Sequence, residues 1–517
     1  MTKILEGINS FVWGIPALTL ILGVGLYLTL RTGFVQLRLL PRSILLFFSR
    51  LRRGNAEQGT VTSFQALCTA LAATVGTGNL AGVAGAIAIG GPGAIFWMWV
   101  CGFIGMATKY AEATLAVHSR VRDSKGEMVG GPMYMIRNSM GKHWHWLAAC
   151  YSFFGIIAAF GVGNATQINA VVGGINQAII AFGGAETDFG NLFMGVALAL
   201  LISSMLLGGM KRIGAVAEKL VPFASLAYIL LGLFVIVVRF SFLDDAFSAI
   251  FQGALTPQAA TGGAVGSVFS VLRIGVSRGV FTNEAGMGTA SIAHASAKVN
   301  HPAEQGMMGI MEVFLDTIVI CTITALVILV SGIPIPYGQD MGVTLTTQAF
   351  ANVCGDWVSL VIASALCCFA LATVLGWGLY GVRCAQYLFG DHVWKRFVVL
   401  QSFAVILGAV LKTGTVWLLS ETVNGLMAIP NLIILAVLSP TLVRLTKEYK
   451  HSLASKSAKG GTYENFNQRQ PLRTVSHAEV PSAGGTGTKS GQDHLPSEYR
   501  SAGSAHSKGL SGSCPQF

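Results

Sequence analysis

The feature that most limits the fold of this chain is a long run of residues without charge. Between Glu57 and Lys109 the sequence contains no Asp, Glu, Lys or Arg. Of all 517 residues, 11% are charged and 53% hydrophobic, whereas a soluble domain needs roughly a quarter of its residues charged. The mean hydropathy is +0.62. Most of the surface must therefore face a lipid bilayer, and we predict an all-α membrane protein.

The net charge of +11 has two explanations. In a soluble protein it would suggest a nucleic-acid partner. In a membrane protein, basic loops on the cytoplasmic side give the same total. We favour the second explanation and expect no nucleic-acid partner.

Apolar runs long enough to cross a bilayer, about 20 residues, recur along the chain. Eleven spans are predicted, near residues 11–30, 63–89, 93–117, 147–181, 190–210, 219–239, 257–297, 303–331, 353–381, 396–412 and 418–444. Loops that follow odd-numbered spans are rich in Arg and Lys, and the alternate loops are not. This asymmetry predicts a multi-pass plasma membrane protein, in a bacterial inner membrane, with its N-terminus outside and its C-terminus in the cytoplasm.

The spans and loops divide the chain into four parts. Residues 1–61 are predicted to hold one transmembrane helix and a basic cytoplasmic loop, residues 62–240 a first group of five helices, and residues 241–445 a second. Residues 446–517 are rich in Ser, Gly and Lys and poor in apolar residues, which predicts a disordered cytoplasmic tail. A regulatory docking role for this tail is possible, but a solvated extension is favoured.

A glycine-rich break, Gly76-Thr77-Gly78-Asn79, interrupts the second span. Glycine weakens a helix by about 1 kcal/mol per residue. A broken span exposes N–H groups that suit a carboxylate and C=O groups that suit Na⁺. The alternative is a close helix crossing of small residues, and the glycines alone do not decide between the two.

A second break lies five spans later, at residues 273–288. Two interrupted spans at this spacing indicate a repeat of five spans, and because five is odd the second copy is inverted. Inverted repeats with paired broken helices are typical of secondary transporters. Arg273, Arg278 and Glu284 place charges near this break. We favour a structural ion pair between Glu284 and an arginine, with a proton-carrying Glu284 as the alternative.

Two other spans carry polar or aromatic side chains at helical spacing. Asn164 and Gln167 share one face of span 4 with Asn169 nearby, and Thr373 and Trp377 share one face of span 9. A threonine hydroxyl can ligate a cation, and a tryptophan in mid-span can wall a pocket. The alternatives are an interhelical hydrogen bond for the amides and an interfacial position for the tryptophan.

The remaining charged residues, histidines and cysteines are predicted to have structural roles, and the motifs of several enzyme classes are missing. Lys109 and Glu112 are predicted to anchor the cytoplasmic end of span 3, and His294 and His301 lack a partner at metal-ligand spacing. The nine cysteines include no CxxC pair and read as small core residues. No Walker A or hydrolase motif is present. The chain is therefore not expected to be an enzyme.

Five stretches together resemble the alanine/glycine:cation symporter family, the sodium:alanine carriers, over roughly residues 8–445. They are residues 75–83 (VGTGNLAGV), 90–99 (GGPGAIFWMW), 105–112 (GMATKYAE), 130–134 (GGPMY) and 279–288 (GVFTNEAGMG). The resemblance implies the fold of the leucine-transporter group, with a five-plus-five inverted repeat and one extra N-terminal helix. It implies Na⁺-coupled uptake of alanine or glycine, with Na⁺ as the coupling ion and no organic cofactor.

The resemblance also implies roles for individual residues. The amides of Thr77 and Gly78 would receive the substrate carboxylate. The other pocket residues would be Asn79, Gln167, Phe281, Met287, Gly288, Thr373 and Trp377. Sodium would be held by backbone oxygens of Ala72, Val75 and Phe369 and by the hydroxyl of Thr373.

The chain departs from the expected pattern at two positions. Ala372 stands where the related fold usually has a second hydroxyl, which leaves fewer side-chain ligands for Na⁺, and Val382 stands where the family tends to have Glu. Two other functions remain open at this point: a proton-coupled symporter on the same scaffold with Glu284 as the titrating group, and a non-transporting amino-acid sensor. The sequence does not indicate the oligomeric state.

Overall fold

The computed structural model describes residues 7–9, 11–52, 61–124, 126–256, 267–339, 341–410 and 413–459. This part of the chain is a bundle of α-helices, which confirms the predicted all-α class. Its strands are two residues long: β1 (Val61–Thr62) pairs in parallel with β4 (Ala297–Lys298), and β2 (Val121–Arg122) is antiparallel to β3 (Met128–Val129). Residues 257–266 of predicted span 7, Arg53 and the predicted tail beyond residue 459 lie outside the described residues.

The helices of the first half surround the first break. They are α1 (Ile15–Arg31), α2 (Val35–Arg52), α3 (Ser63–Thr74), α4 (Ala81–Gly90), α5 (Gly93–Ser119), α6 (Pro132–Ser139), α7 (His145–Phe160), α8 (Thr166–Ala181), α9 (Asp188–Leu206), α10 (Gly209–Val238) and α11 (Leu243–Leu255). The segment predicted as a basic loop is therefore helical as α2, because its arginines alternate with Leu and Phe at helical spacing. The amphipathic helix α11 was also not predicted.

The helices of the second half surround the second break. They are α12 (Val268–Asn283), α13 (Thr289–His294), α14 (Pro302–Val313), α15 (Thr322–Val330), α16 (Val343–Cys354), α17 (Val358–Phe389), α18 (Trp394–Val410), α19 (Thr413–Val437) and α20 (Ser439–Lys459). The predicted tail boundary at residue 446 falls inside α20, where Leu442, Leu445 and Tyr449 are buried. These apolar residues continue the helix past the change in composition.

Seven helices of the described part are long and apolar enough to cross a membrane, and ten spans result if each of three bent helix pairs counts as one. The bent pairs are α1 with α2 (79°), α3 with the segment ending in α4 (57°), and α19 with α20 (60°). The second broken span, α12 with α13, is not among these pairs. The count of eleven and the inverted repeat stay predictions.

Both broken spans have a local cause in the sequence. Helix α3 begins with a capping box between Thr62 and Gln65 and ends at Thr74, and the chain continues as a 3₁₀ turn, Thr77–Asn79. A side chain at Gly76 would place its Cβ 2.6 Å from Thr373 Oγ1, so only glycine allows the approach of α17. At the second break Glu284, Gly286 and Gly288 have left-handed backbones, with φ of 53°, 95° and 77°, which end α12 and redirect the chain into α13.

Two further spans contain a π-helical turn beside the breaks. One is Gly161–Ala165, between α7 and α8, and the other is Phe314–Cys321, between α14 and α15. A π-turn inserts an extra residue into a helix, shifts the side chains that follow, and occurs frequently at functional sites. Here the turns precede Gln167 and contain Asp316.

Candidate functional site

The first break is capped by the side chain of Gln167. The Oε1 atom of Gln167 accepts hydrogen bonds from Thr77 Oγ1 at 2.9 Å and from the backbone N–H of Thr77 at 3.3 Å. Gln167 in turn donates to the carbonyl oxygen of Val162, at 3.2 Å, in the π-turn. All of these groups are buried. The N–H of Thr77, which is predicted to bind the substrate carboxylate, thus points at the amide oxygen of Gln167. Like a carboxylate oxygen, this oxygen accepts hydrogen bonds.

Asn79 connects the same break to a buried acid. Its Oδ1 accepts from the N–H of Gly76 at 2.9 Å, and its Nδ2 donates to Asp316 Oδ1 at 2.7 Å. Sequence reasoning missed Asp316, an acid that stands four residues after Glu312 within predicted span 8. Such an intramembrane acid is by default a functional candidate.

The hydrogen bonds of Asp316 continue to the second break. Thr317 Oγ1 donates to Asp316 Oδ2 at 2.8 Å, and Asn283 Nδ2 donates to Thr317 Oγ1 at 3.1 Å. The Oδ1 of Asn283 then accepts from the N–H of Ala285 at 3.0 Å. The two broken spans are therefore joined through one buried chain of hydrogen bonds that passes through the π-turn of span 8.

Glu284 and Trp377 form the next part of the site. Trp377 Nε1 donates to Glu284 Oε1 at 2.7 Å, and Thr289 Oγ1 donates to Glu284 Oε2 at 2.6 Å. The predicted ion pair between Glu284 and an arginine is wrong, because an indole and a hydroxyl occupy its two oxygens. Trp377 is 1% exposed, and Gly163 makes room for it, since a Cβ there would lie 2.1 Å from that of Trp377. The predicted mid-span position of Trp377 agrees with this burial.

The predicted sodium ligands lie where α3 meets α17. Thr373 Oγ1 donates to the carbonyl oxygen of Phe369 at 3.0 Å, and Gly376 packs directly against Ala73. Ala72, Val75 and Phe369 belong to one buried cluster. The structure thus brings the end of α3 close to the predicted hydroxyl, and hydroxyl and carbonyl oxygens are the donors that suit Na⁺. Among the described residues no group of three or more His, Cys, Asp or Glu side chains could hold a metal ion.

The remaining predicted pocket residues fall on the two sides of the second break. Phe281 lies against Gly78, 3.4 Å from where a Cβ would stand, and shares a buried cluster with Met287 and Trp377. Gly288 packs instead against Pro132 and Asn431. Phe281 therefore adjoins the first break, whereas Gly288 faces away toward α6 and α19.

The second break is held by Glu112. Its Oε1 accepts from the N–H groups of Gly286 and Gly288, both at 3.0 Å, and from Asn431 Nδ2 at 2.7 Å. Glu112 and Lys109 are fully buried, so the predicted role as cytoplasmic anchors is wrong. Their place near the end of an apolar run suggested an exposed position, but α5 continues for seven residues after Glu112.

Lys109 begins a second buried chain of polar contacts. Its Nζ donates to Glu312 Oε1 at 2.9 Å, and Glu312 Oε2 contacts His294 Nε2 at 3.0 Å. Gln305 Nε2 lies 2.7 Å from His294 Nδ1, and Ser63 Oγ donates to Gln305 Oε1 at 2.7 Å. Because Gln305 donates to Nδ1, the proton of a neutral His294 lies on Nε2, facing Glu312. The chain connects α5, α14, α13 and α3.

Two broken spans joined by buried polar contacts inside an apolar helical bundle are typical of a secondary transporter. In solved structures the chain resembles the transporter MhsT crystallised with L-phenylalanine, with a TM-score of 0.53 over 76% of this chain and 99% of MhsT. The sequence identity is 13%, so this likeness concerns the fold alone.

The chain belongs to the sodium:alanine symporter family, whose model matches residues 1–463. An uncharacterized transporter of Haemophilus influenzae is 43% identical over 450 residues, which cover 86% of this chain and 96% of the relative. The sodium/alanine symporter AgcS of Methanococcus maripaludis is 42% identical over 453 residues, 86% of this chain and 97% of the relative. The resemblance inferred from the sequence motifs is thereby confirmed.

Proposed function

We propose that the chain is a sodium-coupled symporter that carries a small amino acid, alanine or glycine, into the cell. The observation that carries the proposal is the capped first break, where the Thr77 N–H and hydroxyl converge on one buried acceptor. Membership of the sodium:alanine symporter family supports it. In the proposed complex the substrate carboxylate replaces the Gln167 oxygen at the N–H of Thr77 and also binds the N–H of Gly78. The chain then acts as a carrier and not as an enzyme.

The pocket residues set the size of the substrate in this proposal. Asn79, Gln167 and Thr373 supply polar atoms, and Met287 and Gly288 form the bend beyond the pocket. Trp377 and Phe281 are buried side chains that pack within the same cluster as Met287. The proposal assigns Trp377, Phe281 and Met287 the exclusion of branched and aromatic side chains, so uptake of leucine or phenylalanine as fast as alanine would contradict it.

Sodium binds in this proposal to the backbone oxygens of Ala72, Val75 and Phe369 and to the hydroxyl of Thr373. The ion then joins α3 to α17 beside the substrate. Coupling requires that Na⁺ and substrate bind one state of the carrier better than the other. An ion held between two helices meets this requirement if the helices separate during transport.

The experiment is uptake of radiolabelled alanine and glycine into proteoliposomes, with and without an inward Na⁺ gradient. We expect uptake that depends on the gradient and is inhibited by the other small amino acid. Equal uptake in the absence of Na⁺ would refute sodium coupling, and no uptake of either amino acid would refute the substrate class.

A second candidate is proton coupling, which one observation favours. Glu112, Glu284, Glu312 and Asp316 are buried near the breaks, and Lys109 is the ammonium group that lies among them. Unpaired buried charges are expensive in a membrane, so the acids of this set that lack a cationic partner are candidates for binding and releasing protons. Alanine uptake driven by a pH gradient without Na⁺, and lost on Glu284→Gln, would support this candidate over the first.

The proposed orientation places the N-terminus outside and the C-terminus in the cytoplasm of a bacterial inner membrane. The support is the basic composition of the loops after odd-numbered spans. Protease digestion of intact cells and of inverted vesicles tests the orientation, because the segment after residue 459 should be cleaved only in the vesicles.

A further inference from the structure

Helix α2 differs from the surrounding spans in direction and in the pattern of its surface. It is bent by 79° from α1, so if α1 crosses the bilayer, α2 runs nearly along the membrane surface. One face packs on the protein, with Val35, Gln36 and Ser43 all fully buried. A helix in this position covers the boundary between acyl chains and headgroups.

The exposed side of α2 has two stripes of different chemistry. Leu37, Leu45 and Phe48 are 54%, 71% and 54% exposed, and at 3.6 residues per turn they share one stripe. The neighbouring stripe carries Arg38 and Arg42, four residues apart and both exposed. An apolar stripe beside a cationic one matches acyl chains beside anionic headgroups.

The two arginines differ in their contacts with the chain. Arg38 Nη1 donates to the carbonyl oxygens of Gly33 at 3.0 Å and Thr32 at 3.4 Å, which caps the bend after α1. Arg42 makes no hydrogen bond or ion pair with any residue of the described ranges. Its guanidinium group is therefore available to a phosphate, which it can bind through two parallel hydrogen bonds.

We propose that α2 lies in the headgroup layer and that its cationic stripe, Arg38 and Arg42, binds the phosphates of anionic phospholipids. The C-terminal half of α2 contacts the transport core. Phe47 packs against Phe64 of α3 with ring centroids 5.9 Å apart, and Arg50 Nη2 lies 3.2 Å from Glu304 Oε2 in the first turn of α14. Lipid bound to α2 thus acts on the first broken span, and the transport rate depends on the anionic lipid content.

The first test measures binding and does not depend on transport. The full-length protein is purified in detergent, and its thermal unfolding is followed while phosphatidylglycerol or phosphatidylcholine is added. A ligand that binds the native state raises the unfolding temperature. We expect phosphatidylglycerol to stabilise the protein more than phosphatidylcholine. Arg42→Gln should weaken the phosphatidylglycerol affinity about five-fold, the change that corresponds to ~1 kcal/mol per basic residue at an anionic surface.

Two further variants make the result specific. Arg42→Lys keeps the charge and should retain most of the shift. Lys211→Gln removes one exposed charge at the first turn of α10 and should bind phosphatidylglycerol as the unaltered protein does. Equal stabilisation by both lipids, or an equal loss in Lys211→Gln and Arg42→Gln, would overturn the proposal.

The second test asks what covers the apolar stripe. If it lies in lipid, Leu45→Ser should leave the molecular mass of the detergent-solubilised particle unchanged. A fall to half that mass would show that a second copy of the chain covers α2, and would overturn the proposal. In proteoliposomes the initial rate of alanine uptake should rise with the phosphatidylglycerol fraction, and less steeply in Arg42→Gln. If no variant takes up alanine, the proposed transport function is refuted. The lipid-binding proposal is then decided by the unfolding experiments with phosphatidylglycerol.

Discussion

Replacing Glu112 tests whether a carboxylate inside the bundle fixes the shape of the second break. One oxygen, Glu112 Oε1, accepts three hydrogen bonds, from the N–H groups of Gly286 and Gly288 and from Asn431 Nδ2. In Glu112→Leu the two backbone N–H groups lose their acceptor, whereas Asn431 Nδ2 keeps the carbonyl oxygen of Gly286 at 2.8 Å. Each buried donor without a partner costs about 1–3 kcal/mol, which gives roughly 2–6 kcal/mol for the two N–H groups against a typical folding free energy of about 5–15 kcal/mol.

The variant Glu112→Gln is the matched control, because it keeps one oxygen and the shape of the side chain. The stability lost in Glu112→Gln is the difference between a hydrogen bond to a charged acceptor and one to a neutral acceptor, about 1 kcal/mol per bond. Part of this loss is offset because the variant no longer buries a charge. We therefore expect Glu112→Leu to unfold at a much lower temperature and Glu112→Gln to remain close to the unaltered protein.

Thermal unfolding of the purified protein measures the stability, and alanine uptake in proteoliposomes measures whether the pocket keeps its shape. Glu112→Gln should retain uptake with a similar KM, while any folded Glu112→Leu should show a raised KM. Equal damage in both variants would mean that the charge of Glu112 matters and not its hydrogen bonds. An undamaged Glu112→Leu would refute the reasoning altogether.

Three other substitutions follow from contacts of the site. Gly163→Ala places a Cβ 2.1 Å from the Cβ of Trp377, so it should displace the indole from Glu284 and lower alanine uptake at least ten-fold, which initial rates will show. Lys109→Met leaves the carboxylate of Glu312 buried without its ammonium partner and should destabilise the protein by about 3–5 kcal/mol. In unfolding experiments the double variant Lys109→Met/Glu312→Met should recover most of this loss, and additive losses would contradict the expectation. Thr373→Val should raise the Na⁺ concentration for half-maximal uptake about ten-fold or more while Thr373→Ser keeps it, and an unchanged Na⁺ dependence in Thr373→Val would exclude the hydroxyl as a ligand.

The sequence predicted those parts of the fold that depend on neighbouring residues. Apolar runs gave the spans because crossing lipid requires about 20 such residues wherever the helix later packs. The first break was predicted from glycine positions, since the loss of helix propensity is also local. The second was predicted from the charged and polar residues of 273–288, and the structure narrows it to residues 284–288, because α12 continues to Asn283. The prediction that Thr373 lies near the first break came from the family resemblance. In the structure its hydroxyl lies beside Gly76.

The parts that were missed depend on partners far along the chain. Glu112 and Lys109 looked like surface anchors because their hydrogen-bond partners lie at the second break, on α14 and on α19. Hydropathy near residue 110 does not report such distant partners. Asp316 gave a signal, an acid within an apolar stretch, but its partner Asn79 is 237 residues away. The helical form of α2 was hidden because averaged hydropathy does not distinguish an amphipathic helix from a basic loop.

The contact between Glu112 and Asn431 has a consequence for the synthesis of the protein. The two residues are 319 positions apart, and at about 5–20 residues per second the ribosome makes Asn431 roughly 15 s to 1 min after Glu112. For the first part of that time, roughly 9 to 35 s, Gly286 and Gly288 have not been made either, because they follow Glu112 by 174 and 176 positions. Because an unpartnered carboxylate is unstable in hydrocarbon, α5 has to remain protonated at Glu112 or stay outside the lipid core until the second break has been made. The order of membrane insertion is thus constrained by the same side chain that shapes the finished site.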